Sequence, residues 1–211
     1  METRSAIIEL DKESKIEMNK LKTLVLCLLL SVVTYGQTIK KIKTDIFTVT
    51  YSEIYQQPLE ISYRVECPDG TASRKGMSFY NNDSVITSNS KDYVSNVWDK
   101  GHMAPAADFN CDTETLRKTF TYLNCALQHR GLNRGPWKEL ERYERVLAKT
   151  HKNVLVIIIL KFEDVPERWL DTGALVPIGF TKIIMFDNNV YKYYFPNKNV
   201  AGINWQEFKL K

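Results

Sequence analysis

The sequence lacks most of the short motifs that mark common enzyme classes. It contains no GxSxG elbow, no HExxH pair, no P-loop and no GxGxxG fingerprint. Nucleophile-elbow hydrolases, HExxH metalloproteases, P-loop nucleotide hydrolases and dinucleotide-binding enzymes are therefore not supported. Only three histidines occur among the 211 residues, so few side chains can exchange a proton near neutral pH. Internal repeats and low-complexity linkers are also missing, which favours one ordinary globular domain.

Cysteine is scarce and has no metal-binding spacing. The four cysteines form no CxxC pair, which argues against a structural zinc site. Residues 111–125 are predicted to form one helix, whose rise of ~1.5 Å per residue would hold Cys111 and Cys125 ~20 Å apart. A disulfide needs Cα atoms within ~7 Å. Any disulfide of the mature chain is therefore predicted to include Cys67, with Cys111 or Cys125 as its partner.

A long hydrophobic run without charges occurs near the N-terminus. The basic stretch 18–22 precedes an apolar run from Leu24 to Val33. The run is too short to span a membrane and no later stretch serves as an anchor, so it predicts a signal peptide. We therefore expect residues 1–37 to be an N-terminal extension and signal peptide, with Met1 or Met18 as the true start. Residues 38–211 would form a single domain of a secreted or periplasmic protein without a stable membrane anchor.

The remaining sequence mixes strand and helix patterns without regular alternation. Residues 58–67 alternate as a strand, 153–162 form a continuous apolar run typical of a strand buried on both faces, and 178–197 indicate a hairpin. Residues 136–151 give the clearest helix, with apolar residues along one stripe. This mixture predicts an α+β fold.

The residues that carry chemistry lie in two blocks. The first, WDKGHMAPAADF, covers residues 98–109 and places a carboxylate, an ammonium and an imidazole around one glycine. The second, LNCALQHRGLNRGPWKELE, covers residues 123–141 and combines amides, basic residues and a carboxylate with the start of a helix. In content and separation the blocks resemble the DNA/RNA non-specific endonuclease family, the ββα-metal nucleases that include endonuclease G. The Asp-Arg-Gly-His motif of that family corresponds to Asp99, Lys100, Gly101 and His102.

The resemblance implies a fold, a reaction and a cofactor. The fold is the α+β ββα-metal (His-Me finger) nuclease fold, with a mixed, mainly antiparallel sheet and flanking helices. The reaction is metal-dependent hydrolysis of phosphodiester bonds in DNA and RNA, without sugar specificity and with 5′-phosphate products. One Mg²⁺, for which Mn²⁺ is expected to substitute, would be held by a single asparagine, Asn133, with water in the other positions.

The resemblance also assigns roles to residues. His102 would be the general base, and a neutral imidazole with a pKa near ~6.5 suits that role. Lys100 stands where the family usually has arginine, which keeps the charge but loses the bidentate fork. Asp99 is expected to brace Lys100 or the loop, and His129 is the alternative base. The expected catalytic residues are His102, Lys100, Glu141 and Asn124, and the expected substrate-binding residues are Arg74, Lys100, His129 and Arg134.

Two kinds of function fit these residues. The first is the endonuclease, with DNA and RNA as substrates, a protein inhibitor as a further partner and the oligomeric state left open. The alternative is a non-catalytic nucleic-acid-binding module on the same fold. A binding module would not need His102, Asn133 and Glu141 together, so their joint presence favours the enzyme.

Overall fold

The computed structural model of the protein describes residues 18–22, 39–165 and 168–211. Residues 18–22 are helical, and the predicted signal peptide otherwise lies outside the described residues. None of the helices in this described part is long and apolar enough to cross a membrane. The chain divides into two compact units, Met1–Ile39 and Lys40–Lys211, and the second contains the candidate site.

A six-stranded, mainly antiparallel sheet forms the centre of the second unit. Its strand order is β1-β2-β3-β6-β7-β8, and the pairings from β2 to β8 are antiparallel. The strands are β1 (Ile39–Lys43), β2 (Phe47–Ser52), β3 (Gln57–Arg64), β6 (Leu155–Lys161), β7 (Gly179–Phe186) and β8 (Asn189–Pro196). The α+β prediction is confirmed. The run predicted to be buried on both faces forms β6, but only alternate residues of that strand are fully buried.

A separate two-stranded sheet carries the first sequence block. Strand β4 (Trp98–His102) pairs antiparallel with β5 (Cys125–His129), so that His102 lies opposite Cys125. After β5 the chain forms a single helical turn, a wider turn and then a long helix. These elements are α2 (Arg130–Leu132), the wide turn Asn133–Trp137 and α3 (Lys138–Thr150). This succession of two strands and a helix gives the predicted ββα arrangement.

The helix predicted for residues 111–125 is wrong beyond its first half. Helix α1 covers only Thr113–Lys118, and Asp112 caps it by accepting a hydrogen bond from the Thr115 amide at 2.8 Å. The Thr119 hydroxyl donates a hydrogen bond to the Leu116 carbonyl, and the helix ends there. Short 3₁₀ turns occur at Ser90–Tyr93, Ala106–Asp108, Tyr122–Asn124 and Trp205–Phe208.

The disulfide joins Cys67 to Cys111, whose Cα atoms lie 5.4 Å apart. Cys125 is buried as a free thiol in β5. The prediction that Cys67 takes part in the disulfide is confirmed, and the structure selects Cys111 as its partner.

The long helix packs on the sheet through the apolar stripe that the sequence predicted. Leu140 and Leu147 are buried in the same apolar cluster as Phe180 of β7 and Phe195 of β8. The helix starts at Lys138 because the preceding turn is broken at Gly135, whose φ of −103° and ψ of −121° are not helical.

Candidate active site

A cavity of about 930 Å³ lies where the loop before β4, the end of β4 and the start of α3 meet. It brings together residues that are far apart in the sequence. The predicted site residues that line it are Arg74, Lys100, His102, Asn133, Arg134 and Glu141.

His102 ends β4 and is held by aromatic rings. Its imidazole centroid lies 4.7 Å from that of Phe79 and 4.8 Å from that of Phe120. Its Nε2 atom is buried and has no hydrogen-bond partner in the part of the chain that the structure describes. Burial, and then the charge of Arg74, lower the pKa of His102 to about 3. The imidazole is therefore neutral at physiological pH, with a pKa well below the value expected from its residue type.

The glycine of the motif is required by the packing of β4 on β5. A Cβ atom at Gly101 would lie 2.7 Å from the Cβ atom of Gln128 on the neighbouring strand. Any side chain at this position would push the two strands apart and move His102, the next residue.

Asp99 was predicted to brace Lys100 or the loop, and of these two alternatives the contact with Lys100 does not form. Its carboxylate accepts hydrogen bonds from the Arg134 guanidinium at 2.7 and 2.6 Å and from Asn133 Nδ2 at 2.9 Å. Although burial alone would raise the pKa of Asp99, these hydrogen bonds lower it below its usual value. Asp99 is therefore a carboxylate that fixes the amide of Asn133. Because Nδ2 is used in this bond, Asn133 Oδ1 is left as the acceptor.

Lys100 is held by aromatic faces. Its Nζ atom lies 5.4 Å from the ring centroid of Tyr122, 5.8 Å from that of Tyr93 and 5.9 Å from that of Phe79. These distances are within the range of cation–π attraction. Among the described residues no carboxylate pairs with Lys100, so its charge is available to an anion in the cavity.

Asn133 and Glu141 are two residues of the cavity wall with side-chain oxygen atoms. Asn133 begins the wide turn and Glu141 lies in the first turn of α3. Burial raises the pKa of Glu141 to about 7, against the opposing charge of Lys182. No cluster of three or more His, Cys, Asp or Glu side chains able to hold a metal occurs within the described ranges. An amide oxygen with a nearby carboxylate fits a hard cation such as Mg²⁺ that keeps most of its water.

Asn133, Trp137 and Glu141 are spaced four residues apart but do not share one helical face. Trp137 is fully buried and packs on Phe180 and Phe195, with ring centroids 5.4 and 5.5 Å away. The break at Gly135 rotates the turn relative to α3, so Trp137 anchors the segment in the core while Asn133 and Glu141 face the cavity.

Asn124 has a structural position. It is fully buried, and its Oδ1 accepts a hydrogen bond from the Ala104 amide at 2.7 Å. Its Nδ2 donates to the carbonyls of Ala104 and Thr119 at 2.8 and 2.9 Å. The amide is used to hold the backbone that follows His102, and these hydrogen bonds do not by themselves support the predicted catalytic role.

His129 is also turned away from the cavity. Its Nδ1 accepts a hydrogen bond from the Gly131 amide at 3.0 Å and so caps α2. Its ring packs edge-on against Trp98, 5.8 Å between centroids. It does not line the cavity, so the predicted contact with substrate is not supported, nor is its use as an alternative base.

Arg145 was missed by the sequence reasoning. It lines the cavity, and its guanidinium donates a 2.8 Å hydrogen bond to the fully buried carboxylate of Asp108. Its spacing of four residues from Glu141 places both on one face of α3, and this spacing is the signal that could have identified it.

The loop that carries Arg74 is fastened next to the cavity. The Cys67–Cys111 disulfide joins its base to the chain that follows β4. The Ala72 amide donates to the Asn110 carbonyl at 2.9 Å, and Asn110 Nδ2 donates to the Gly70 carbonyl at 2.8 Å. Arg74 is exposed and lines the cavity.

Comparison with known proteins identifies similar sequences and a similar fold. A sequence profile of the DNA/RNA non-specific endonuclease family matches residues 30–211. Nuclease EXOG of Xenopus laevis is 35% identical over 91 residues, which are 42% of this chain and 25% of that protein. Endonuclease G of Bos taurus is 34% identical over 90 residues, 41% of this chain and 30% of that protein. The mitochondrial nuclease of Saccharomyces cerevisiae is 31% identical over 119 residues, 53% of this chain and 36% of that protein.

These matches cover about a quarter to a third of the length of the curated relatives. A chain in the crystal structure of the EndoG/EndoGI complex superposes with a TM-score of 0.71 at 22% identity. The superposition covers 82% of this chain and 80% of that chain. It shows that the two share a fold, which confirms the ββα-metal nuclease prediction.

The prediction of a secreted or periplasmic protein is wrong. The curated relatives from Xenopus laevis, Bos taurus and Saccharomyces cerevisiae are mitochondrial proteins. The prediction depended on the hydropathy of the N-terminal residues alone, and most of those residues lie outside the described ranges.

Proposed function

The chain belongs to the DNA/RNA non-specific endonuclease family, and on this premise we propose that it hydrolyses phosphodiester bonds within DNA and RNA in a metal-dependent reaction. The observation that supports this most is the convergence of three groups on one cavity. They are the neutral imidazole of His102, the ammonium of Lys100 and the amide oxygen of Asn133. We further propose that residues 38–211 form the single nuclease domain.

His102 acts as the general base in this proposal. Its Nε2 atom is shielded, so Nδ1 is the ring nitrogen available to a water molecule in the cavity. The low pKa leaves the ring unprotonated across the physiological pH range. A general base acts best with a pKa near the working pH, so we propose that the negative charge of bound phosphate raises the pKa of His102 in the complex with substrate. The contacts with Phe79 and Phe120 hold the ring in one orientation.

The cations of the cavity bind the phosphate. Lys100 and Arg145 lie in its wall and Arg74 lies on the neighbouring loop. They are placed to offset the negative charge that develops on the phosphoryl oxygens during attack. Arg134 is bound to Asp99, so we propose that it orients that carboxylate as well as facing the nucleic acid. Contacts to phosphate rather than to base edges would make cleavage independent of sequence.

Asn133 Oδ1 would be the direct ligand of a divalent cation, and Glu141 would orient its water molecules. We propose Mg²⁺, with Mn²⁺ as a substitute, because the donors are oxygen atoms only. The bound ion would stabilise charge on the phosphoryl group and assist the departure of the 3′-oxygen, so that products carry 5′-phosphates. Asp99 contributes by fixing the Asn133 amide in the orientation that the ligand requires.

A protein inhibitor is a further proposed partner. The proposal is supported by the solved EndoG/EndoGI complex, in which EndoG, a protein with the same fold, is inhibited. An inhibitor of this chain would need to cover the cavity that holds His102 and Asn133.

Plasmid nicking by the purified full chain tests the proposed activity. We expect cleavage with Mg²⁺, and a fall in turnover of at least ~100-fold in His102→Ala because a general base is lost. His129→Ala is the matched histidine control and should cleave at a rate close to that of the wild type. A wild-type chain that binds plasmid but never nicks it would instead establish the binding module, and full activity in His102→Ala would remove the assigned base.

A further inference from the structure

A buried ion pair joins the sheet to α3, the helix that carries Glu141. Lys182 of β7 and Glu144 of α3 are both fully buried, and Lys182 Nζ lies 2.7 Å from Glu144 Oε1. Lysine is almost never fully buried unless it is paired. A buried ion pair is also weak evidence for stability, because apolar or neutral replacements are often equally stable. The pair therefore calls for a role other than stability.

Lys182 contacts the start of α3 at two points. Its Nζ atom lies 4.0 Å from the ring centroid of Trp137, which ends the wide turn and directly precedes α3. Its other contact, Glu144, lies on α3 three residues after Glu141. One ammonium group thus touches residues on both sides of Glu141, in the part of the chain that follows the break at Gly135.

The pair is itself held in place. Glu144 Oε2 accepts a hydrogen bond from the Tyr63 hydroxyl of β3 at 2.8 Å. Lys182 lies near the middle of β7, opposite Ile158 of β6 and Tyr193 of β8. Both partners are therefore fixed by central strands of the six-stranded sheet.

We propose that Lys182 is a positioning residue that fastens the start of α3, which carries Glu141, to the sheet and thereby sets the affinity of the site for a divalent cation. The proposal rests on the proposed function, because it concerns the same metal site. Asn133 is held separately by Asp99, so without the contacts of Lys182 the distance from Glu141 to Asn133 Oδ1 is no longer fixed, and metal affinity falls. A purely structural role would change the unfolding temperature and leave metal affinity unaltered.

The test uses a neutral replacement of the pair, Lys182→Met together with Glu144→Gln, in the full chain. The two substitutions remove one positive and one negative charge, so the net charge stays the same. The glutamine keeps a side-chain group within reach of Tyr63. The matched control neutralises an exposed pair instead, Lys118→Met with Asp45→Asn, where Lys118 Nζ lies 2.9 Å from Asp45 Oδ2.

Binding of Mn²⁺ is measured by electron paramagnetic resonance in the absence of nucleic acid. We expect the Kd for Mn²⁺ to rise about tenfold or more in the buried replacement, as for other residues that orient metal ligands. The surface control should bind like the wild type. DNA binding in EDTA should be equal in all three proteins, and cleavage by the buried replacement should recover as Mg²⁺ is raised.

Tyr63→Phe provides a second, milder variant in case the buried replacement fails to fold. It removes only the hydrogen bond to Glu144 and should raise the Kd for Mn²⁺ by about two- to fivefold. Wild-type Mn²⁺ affinity in whichever of these variants folds would overturn the positioning role. If the wild type itself binds no Mn²⁺ and cleaves nothing, the proposed function fails instead, so the two failures are distinguishable.

Discussion

At the scale of single residues, the hydrogen-bond partners of a side chain determine whether it is available to a ligand. Asn133 and Asn124 are both asparagines of the second sequence block, and the sequence assigned both to the site. Asn133 Nδ2 donates a hydrogen bond to Asp99, and its Oδ1 is left available to a ligand. In Asn124 both the oxygen and the nitrogen of the amide form hydrogen bonds with the backbone. The sequence cannot distinguish them because the difference lies in contacts with residues 20 or more positions away.

The burial of His102 predicts an effect of pH on stability. Its pKa is about 3 in the folded protein and ~6.5 in an unfolded chain. Between these values the unfolded chain binds a proton that the folded protein excludes, so this group lowers stability as the pH falls. His102→Gln removes the effect. When the pH is lowered from about 7 to about 4, we expect the free energy of unfolding of the variant to rise by about 1–3 kcal/mol relative to that of the wild type.

Urea unfolding of both proteins across this pH range is the measurement. Parallel pH profiles of the wild type and His102→Gln would show that the imidazole titrates normally in the folded protein.

The aromatic rings around Lys100 predict a separate effect on substrate binding. Tyr93→Leu removes one of the three rings that hold the ammonium, whereas Tyr93→Phe keeps the ring and removes only the hydroxyl. A cation–π contact contributes about 0.5–1 kcal/mol at such sites. We therefore expect KM for DNA to rise about two- to fivefold in Tyr93→Leu and to stay near the wild-type value in Tyr93→Phe. Equal KM values in the two variants would mean that the rings do not position Lys100.

At the scale of elements, the strongly patterned segments were predictable and the junctions were not. The buried run of β6, the hairpin of β7 and β8 and the apolar stripe of α3 follow from local periodicity. The helix predicted for residues 111–125 ends at Lys118. The residues after it form an irregular connection that contacts distant parts of the chain. The break at Gly135 was also missed, since its conformation is set by the packing of Trp137 in the core.

The Cys67–Cys111 disulfide is expected to position the loop that carries Arg74 at the site. Cys67→Ser with Cys111→Ser removes the bond that closes a separation of 44 residues, and we expect a loss of stability of about 2–4 kcal/mol. The loop that carries Arg74 would also be less well fixed, so KM for DNA should rise more than kcat falls.

Arg74→Ala supplies the control for this prediction. Its effect on KM should be smaller without the disulfide than with it, because the two changes act on the same contact. Fully additive effects would mean that the disulfide stabilises the fold without positioning Arg74.

At the scale of the whole molecule, fold and site were predictable together because two sequence blocks carried both. Strand β4 and the segment from β5 to α3 hold the motif residues, and their pairing is what creates the cavity. The contacts behind the cavity could not be predicted from the sequence, because Lys182 and Tyr63 belong to strands that show only apolar periodicity. The cellular location was also beyond it, because nothing in the folded unit bears on the N-terminal residues.

A magnesium titration of plasmid cleavage, started from EDTA-treated protein, tests the metal-dependent site most directly. The wild type should be inactive without metal and regain activity with Mg²⁺. Asn133→Ala should lose most of its turnover and need about 10–100 times more Mg²⁺, and Glu141→Ala should be affected less because its contact with the ion runs through water. Cleavage that persists in EDTA, or an Asn133→Ala titration that overlies the wild-type curve, would contradict a metal site at Asn133.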